Sequence, residues 1–163
     1  MANKGFSVGN VLLIIGGLLM IISIFLAWTQ INPPIGNNIS ISGMDIISGK
    51  VNGNSYAYSF KGRAPLFLLI IGILSIILAL LPMFKIKNNG INVAATLIAV
   101  LGLVFAIMFL KVGDGASLFT GDDEKAMDMA IKLGTSLKIQ FGAYFGMAGS
   151  AIAMIGGLLS FKK

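Results

Sequence analysis

The chain has 163 residues, of which 56% are hydrophobic and 11% are charged, and its formal net charge is +6. A soluble domain usually carries about 25% charged residues, so this composition excludes an ordinary soluble protein and indicates a membrane protein. The length fits one integral membrane domain over 1–163, with no room for a separate soluble enzyme. Because cysteine and histidine are absent, disulfides, thiol nucleophiles, and the commonest general base and metal ligand are excluded.

The first apolar run, 11–28, predicts a membrane-spanning helix. At ~1.5 Å per residue it reaches about 27 Å, close to the hydrocarbon thickness of a bilayer. Trp28 at its end fits the aromatic belt at the membrane interface. A positively charged N-terminal segment before an apolar run, here with Lys4, is also typical of a secretory signal. However, no small-residue cleavage site follows Trp28. We therefore expect a retained helix.

Residues 29–63 predict a long, β-rich outer loop. Pro33 and Pro34 exclude a continuing helix. Residues 38–42 alternate polar and apolar side chains, and Asn52-Gly53 lies between strand-forming residues, which is a good hairpin signal. We expect two to four short strands that form a small cap on the membrane surface.

Two further spans are predicted at 65–84 and 91–110. Pro65 suits the first turn of a helix, where its missing N–H has no cost. The link 85–90 is short, so the two spans are expected to be antiparallel neighbours. A second outer loop, 111–138, follows them.

A short amphipathic helix is predicted at 121–133 in the second outer loop. Three acidic residues open this segment and Lys132 lies near its end, and both features match the helix macrodipole. The expected buried face is apolar and rests against the other helices or the lipid headgroups. It comprises Ala126, Met129, Ala130 and Leu133.

The fourth span, 139–161, carries small residues on two faces. Close backbone approach at small residues is a main source of attraction between helices in hydrocarbon. We therefore interpret these positions as helix-packing or interface residues on a helix packed on two sides. One face has Gly142, Gly146 and Ser150, and the other has Gly149, Ala153 and Gly157.

The distribution of charge predicts the orientation in the membrane. The N-terminus, the 85–90 link and the C-terminus share one side, with five lysines and no acid, whereas the two long loops hold seven cations and six acids. The second side has more cations, but they lie in longer loops, where cations influence topology less. We expect a multi-pass protein of the cell membrane with both termini in the cytoplasm.

Three short motifs suggest a modification or a metal site. Asn38-Ile39-Ser40 matches the N-glycosylation acceptor pattern, although so short a motif also occurs by chance. The acidic run 122–124 offers oxygen ligands for a hard cation, but its spacing matches no EF-hand loop and a helix start already explains it. Met127 and Met129 have thioethers that favour Cu(I), but two sulfurs two residues apart on a helix do not converge. We therefore expect no cofactor or metal.

The predicted spans contain no ionisable side chain of Asp, Glu, Lys, Arg or His. This counts against a proton-coupled transporter, because such pumps generally need ionisable groups inside the bilayer. No phosphate-binding loop and no glycine-rich elbow around a serine is present, so an enzyme is not expected. The few polar residues of the spans are interpreted as interhelical hydrogen-bonding groups, and a narrow polar path for water or an ion is the alternative.

The predicted fold is therefore an all-α membrane protein, a four-helix bundle with a β-rich extracytoplasmic first loop and a short helix in the second. This layout resembles that of claudin-like tetraspan proteins. Small prokaryotic four-span proteins are similar to this chain in three features: Trp28 at the end of the first span, the strand-like residues 39–42, and the following Ser42-Gly43-Met44-Asp45. The resemblance implies the architecture alone, and no functional residue is transferred from it.

The residues favour a structural or organising membrane protein that binds itself or another membrane protein, besides the lipid bilayer. Its contacts would use the outer β cap and the small-residue helix faces. An accessory subunit of a larger membrane enzyme or transporter is the alternative, and a passive pore is a third reading. No feature of the chain indicates nucleic-acid binding.

Overall fold

The computed structural model describes residues 7–84 and 89–161, so most of the predicted 85–90 link lies outside the described residues. Single 3-10 turns lie at Leu81–Phe84 and Ala116–Leu118. In the described residues the helices are α1 (Val8–Ser23), α2 (Gly43–Ser48), α3 (Ala64–Leu80), α4 (Asn89–Leu110), α5 (Asp122–Lys132) and α6 (Phe141–Leu159). The strands of the same residues are β1 (Ala27–Asn32), β2 (Ile39–Ser42), β3 (Lys50–Val51), β4 (Asn54–Ser55) and β5 (Ser136–Ile139).

Three of the described helices are long and apolar enough to cross a membrane: α3 with its 3-10 extension, α4 and α6. α1 is apolar as well but has 16 residues. α1 and α4 each pack against both α3 and α6. The outward faces of these helices expose large apolar side chains, which is compatible with a membrane protein. Among them are Ile15, Leu18, Ile22, Ile73, Ile77, Leu97, Leu101 and Ile155.

α1 ends at Ser23, five residues before the end of the predicted first span. The backbone N–H groups of Ile24, Phe25 and Leu26 bond to carbonyls three residues back, which tightens the last turn. The Trp28 indole Nε1 donates to the Ser23 carbonyl at 2.7 Å, so this carbonyl at the helix end has a second donor besides the Leu26 N–H. Trp28 therefore does not lie in an interfacial belt but is fully buried in β1.

The helices approach each other at glycines, where backbone meets backbone. A Cβ atom added to Gly16 on α1 would lie 2.5 Å from the Gly149 carbonyl oxygen on α6. Gly17 and Gly72 make the same kind of contact between α1 and α3, where an added Cβ would lie 2.7 Å or 2.8 Å from the other residue's carbonyl oxygen. The absence of a side chain at these positions sets the spacing of the helices.

A three-stranded antiparallel sheet lies at one end of the long helices, in the strand order β2-β1-β5. Thr29 of β1 pairs with Ile41 on one side and with Ile139 on the other. The sheet therefore uses both loops, whereas the sequence predicted a cap built from the first loop alone. β5 occupies the end of the predicted second loop and the first residue of the predicted fourth span.

Trp28 forms a bulge in β1. The pairing with β2 passes from Ala27–Ser42 to Thr29–Ile41, which leaves Trp28 without an opposite residue. A bulge breaks the alternation of faces along a strand, and Trp28 and Thr29 are accordingly both buried although they are consecutive.

Two predicted elements of the loops are present. β3 and β4 form a hairpin around Asn52-Gly53, whose φ angles of 49° and 84° suit this dipeptide. α5 lies within the predicted helical segment of the second loop. Its buried face differs from the prediction, because Met127 and Ile131 pack against the core while Met129 and Leu133 are 66% and 74% exposed.

We expect the substitution Trp28→Ala to lower the free energy of unfolding by about 3–5 kcal/mol, the usual cost of removing a large buried aromatic side chain. Titration with a denaturing detergent measures this change. Phe25→Ala is the matched control, since Phe25 is 66% exposed and its loss should cost less than about 0.5 kcal/mol. Equal effects of the two substitutions would contradict the central role of Trp28.

We expect Gly16→Ala to destabilise the protein by about 1–3 kcal/mol, because the new methyl group would meet the α6 backbone. Gly115→Ala is the control, because a Cβ there would have one neighbour at 3.8 Å, the Ser117 Oγ. Its effect should stay within about 0.5 kcal/mol. The thermal midpoint of the detergent-solubilised variants tests both expectations, and a Gly16→Ala variant as stable as Gly115→Ala would contradict the packing argument.

Candidate functional site in the cap

Residues 24–63 and 111–140 fold together at one end of the long helices, and we call this unit the cap. The strand pairing of β1 with β5 joins the two segments. A second junction joins them at Tyr58, which forms an isolated bridge with Phe119. Beside it, the Ala57 N–H donates to the Asp123 carboxylate at 2.6 Å, and the Thr120 N–H donates to the Ala57 carbonyl at 2.9 Å. The two segments therefore act as one unit.

The cap is tied to the helices around Trp28. The Trp28 ring packs edge-on against Phe109 of α4, with the ring centres 4.8 Å apart. Glycines lie against the ring from two other directions, since a Cβ at Gly142 would be 2.7 Å from its Cδ1 and one at Gly43 would be 3.0 Å from its Nε1. Thr29 Oγ1 donates to the Gly113 carbonyl at 2.6 Å, just beyond α4.

A cleft of about 440 Å³ opens between the two segments of the cap, and we call it the lysine cleft. In the described part of the chain, the side chains of its two lysines, Lys61 and Lys111, form neither an ion pair nor a hydrogen bond. Phe60 and Phe119 line it as well. The polar side chains that line it belong to Ser59, Lys61, Lys111, Ser117, Thr120 and Glu124.

A smaller cleft of about 170 Å³, the tyrosine cleft, lies beside α2 and the start of α3. Tyr58 lines it, is 3% exposed, and its hydroxyl has no hydrogen-bond partner among the described residues. Arg63 and Ser48 also line this cleft. Burial raises the pKa of Tyr58 well above its ordinary value of 10.0, and the negative charge of Asp45 adds to the shift. The neutral phenol is therefore the form that the fold favours.

The six small residues predicted on α6 are all buried. Gly142 and Gly146 lie near Trp28, Gly149 and Ala153 lie against Gly16 of α1, and Gly157 lies against Thr96 of α4. The Ser150 hydroxyl donates to the Gly146 carbonyl at 3.0 Å and lies 3.2 Å from the Met20 sulfur. The structure thus places all six in contacts within one copy of the chain.

The acidic run opens α5, and its members do not converge. Asp122 pairs with Lys125 at 3.4 Å, whereas Asp123 accepts from the Ala57 N–H. Over residues 7–84 and 89–161, no three acidic side chains form a group that could hold a metal ion. Met127 is half-buried against the core while Met129 is exposed.

Polar side chains of α1, α4 and α6 meet at the end of the helices away from the cap. Asn92 Nδ2 donates to the Ser160 carbonyl at 2.9 Å, and the Ser160 hydroxyl lies 3.4 Å from Asn10 Oδ1. Thr96 donates to the Asn92 carbonyl within α4. The Ser75 hydroxyl is buried and has no hydrogen-bond partner among the described residues.

Sequence reasoning used Lys61 and Lys111 only as topology signals and gave Tyr58 no role beyond a strand. The sequence did offer one signal for a shared cleft: Lys61 lies just before the predicted span 65–84, and Lys111 lies just after the predicted span 91–110. The tyrosine cleft had no local signal, because its walls come from α2, the segment after β4, and α3. Asn38, the predicted glycosylation position, is exposed in the turn before β2.

No protein-family model matches this chain, and no curated protein is significantly similar to it. Function must therefore be inferred from the surfaces of the cap and the helices.

We expect Tyr58→Phe to leave stability unchanged or to raise it by up to about 1 kcal/mol near neutral pH, because the lost hydroxyl has no partner among the described residues. Since the folded state raises the Tyr58 pKa, the stability that this shift contributes is fully present below pH 10.0, and it is lost as pH rises towards the folded-state pKa. Above pH 10.0 the Tyr58→Phe variant should therefore lose less stability than the wild type.

Unfolding of the detergent-solubilised protein between pH 8 and pH 11.5 tests this expectation. Tyr144→Phe is the control, because Tyr144 is 49% exposed on α6, and it should keep the wild-type loss. An identical alkaline loss in wild type and Tyr58→Phe would contradict the prediction.

Proposed function

We propose that this chain is a non-enzymatic membrane protein with four spans, whose extracytoplasmic cap organises contacts with further copies of the chain or with another membrane protein. Three helices long and apolar enough to cross a bilayer support the membrane location. The fourth span would be α1, which packs between α3 and α6 and is prolonged by the turns at residues 24–26. The five lysines of the N-terminal segment, the 85–90 link and the C-terminus, which have no acidic residue among them in the sequence, support cytoplasmic termini.

The observation that carries the contact function is an apolar tip on the cap, formed by Ile35, Met129 and Leu133. Their side chains are 90%, 66% and 74% exposed. Ile35 lies in a bend between Pro33-Pro34 and Gly36, whose φ is 108°. A Cβ at Gly134 would lie 3.6 Å from Pro34, so the loops that carry Ile35 and Leu133 lie side by side.

Met129 and Leu133 are four residues apart and therefore share one face around the end of α5. Exposed apolar groups gathered in one place on a protein surface are typical of protein contact sites. The two prolines before Ile35 restrict the backbone of this loop, so it loses less conformational entropy on binding, which favours its use as a contact surface.

The sequence suggested that the small-residue faces of α6 could bind a partner, whereas in this proposal they pack against helices of the same chain. Because they are buried within one copy, substitutions such as Gly146→Leu or Ala153→Leu would disturb the fold before they disturbed assembly. In our proposal these faces hold the helices together, and the cap and the lipid-facing apolar surfaces meet the partner.

An accessory subunit of a larger membrane complex is the second candidate, since the same apolar tip fits a foreign partner as well as a second copy. A passive pore is less well supported, because backbone contacts between α1 and α6 at Gly16 and Gly149 leave no lumen between these two helices. The claudin-like resemblance adds the four-span layout to this proposal and no functional residue.

We expect the double substitution Ile35→Asp and Leu133→Asp to reduce the assembled fraction by roughly tenfold, because two charges would have to be desolvated in the contact. The measurement is the mass of the complex after extraction into nanodiscs, with identification of every co-purifying protein. Met44→Asp is the matched control, since Met44 is an apolar cap residue that is 49% exposed outside the tip, and it should leave the assembly intact.

A complex of this chain alone would support the organising function, and a foreign partner in fixed stoichiometry would support the accessory-subunit function. A clean monomer of the wild-type chain, or equal assembly of wild type and double variant, would overturn the role of the tip.

A further inference from the structure

We propose that the lysine cleft binds the phosphate of an anionic membrane phospholipid, whose acyl chains cover an aromatic stack formed by Phe60, Phe67 and Phe105. The inference rests on the proposed membrane location and adds a ligand to the cap. It concerns a different surface from the apolar tip.

The lysine cleft lies where two long helices leave the apolar zone. Lys61 precedes the start of α3 by three residues, and Lys111 directly follows the last residue of α4. These helices pack against each other, so both ammonium groups belong to the same border between apolar helix surface and polar cap. Phospholipid headgroups occupy this level in a bilayer.

The charges around the cleft favour an anion. Lys61 and Lys111 have exposed side chains, and within the described ranges neither has an acidic partner. Glu124 is the one acidic residue lining the cleft. The lysines of α5 differ, because Lys125 pairs with Asp122 and Lys132 pairs with Asp128 at 2.7 Å. Basic pockets beside membrane helices are typical sites for anionic lipid headgroups.

The aromatic stack links the cleft to the lipid-facing surface. Phe60 lines the cleft and is 61% exposed. Its ring centre lies 5.2 Å from that of Phe67 on α3 and 6.1 Å from that of Phe105 on α4. Phe67 and Phe105 are stacked, with ring centres 4.2 Å apart and planes at 12°.

A free phosphate ion could use the lysines, but it would gain nothing from the aromatic rings. A phospholipid can use both surfaces at once, since its phosphate and its acyl chains are covalently joined. Phosphatidylcholine fits less well than an anionic lipid, because its choline group would face two lysines. The two lysines and the aromatic stack together therefore favour an anionic phospholipid.

Native mass spectrometry of the full chain in a neutral detergent tests the proposal, with titrations of phosphatidylglycerol and phosphatidylcholine. We expect phosphatidylglycerol to be retained preferentially, and the double variant Lys61→Gln with Lys111→Gln to bind it roughly tenfold more weakly. The matched control, Lys125→Gln with Lys132→Gln, removes the same charge from the same cap and should bind as the wild type does.

Two further measurements separate lipid from phosphate and strengthen the assignment. Phe60→Ala should weaken phosphatidylglycerol binding severalfold while leaving any thermal stabilisation by inorganic phosphate unchanged. Glu124→Gln should strengthen phosphatidylglycerol binding, because it removes the acidic side chain from the cleft. Thermal midpoints equal to that of the wild type would show that the variants are folded.

Equal binding of both lipids, or equal loss in the two lysine double variants, would overturn the proposal. Binding of inorganic phosphate that matches that of the lipid and is insensitive to Phe60→Ala would overturn the lipid assignment. Either result leaves the membrane proposal standing, since the chain would still require detergent. A chain that stays soluble and folded without detergent would overturn the membrane proposal itself.

Discussion

The burial of Trp28 is the constraint on which the rest of the structure depends. Its indole N–H caps the end of α1, its ring packs on Phe109 of α4, and Gly142 at the start of α6 lies against it. The bulge in β1 is what lets Trp28 and its neighbour Thr29 face inward together. One side chain thus connects three of the long helices with the sheet, and the position of the cap follows from it.

The glycine contacts complete this arrangement along the helices. In hydrocarbon, water provides no drive for helices to associate, so close packing and polar contacts supply the attraction. Gly16 and Gly149 supply the close approach near the middle of α1 and α6, while Asn10, Asn92 and Ser160 supply polar contacts at the far end. The helix faces that could have joined two chains are occupied in joining one chain to itself. The apolar side chains left exposed lie on the cap and on the outward faces of the helices.

Local patterns in the sequence predicted much of the fold, and long-range pairings account for what they missed. Apolar runs located α3, α4 and α6, Asn52-Gly53 located the hairpin, and the acidic start located α5. α1 ends at Ser23 and residues 27–32 pair with β2 and β5 instead, a long-range pairing that the apolar run 11–28 does not reveal. β5 needs β1 as a partner. Its four residues, Ser136–Ile139, alternate polar and apolar side chains, but so short a signal at the end of a loop does not identify a strand without that partner. The lysine cleft likewise exists only because segments 57–60 and 117–120 pair, and the tyrosine cleft exists only because α2, the segment after β4, and α3 come together.

The connections between helices and sheet are short, and this has a mechanical consequence. Three residues separate α1 from β1, and Gln140 alone separates β5 from α6. With so little slack, the cap cannot swivel independently of these helices. In a bilayer whose thickness changed, helices that tilt to match the new hydrocarbon depth would swing the apolar tip through the same angle. The height of the apolar tip above the bilayer would therefore depend on the thickness of the membrane.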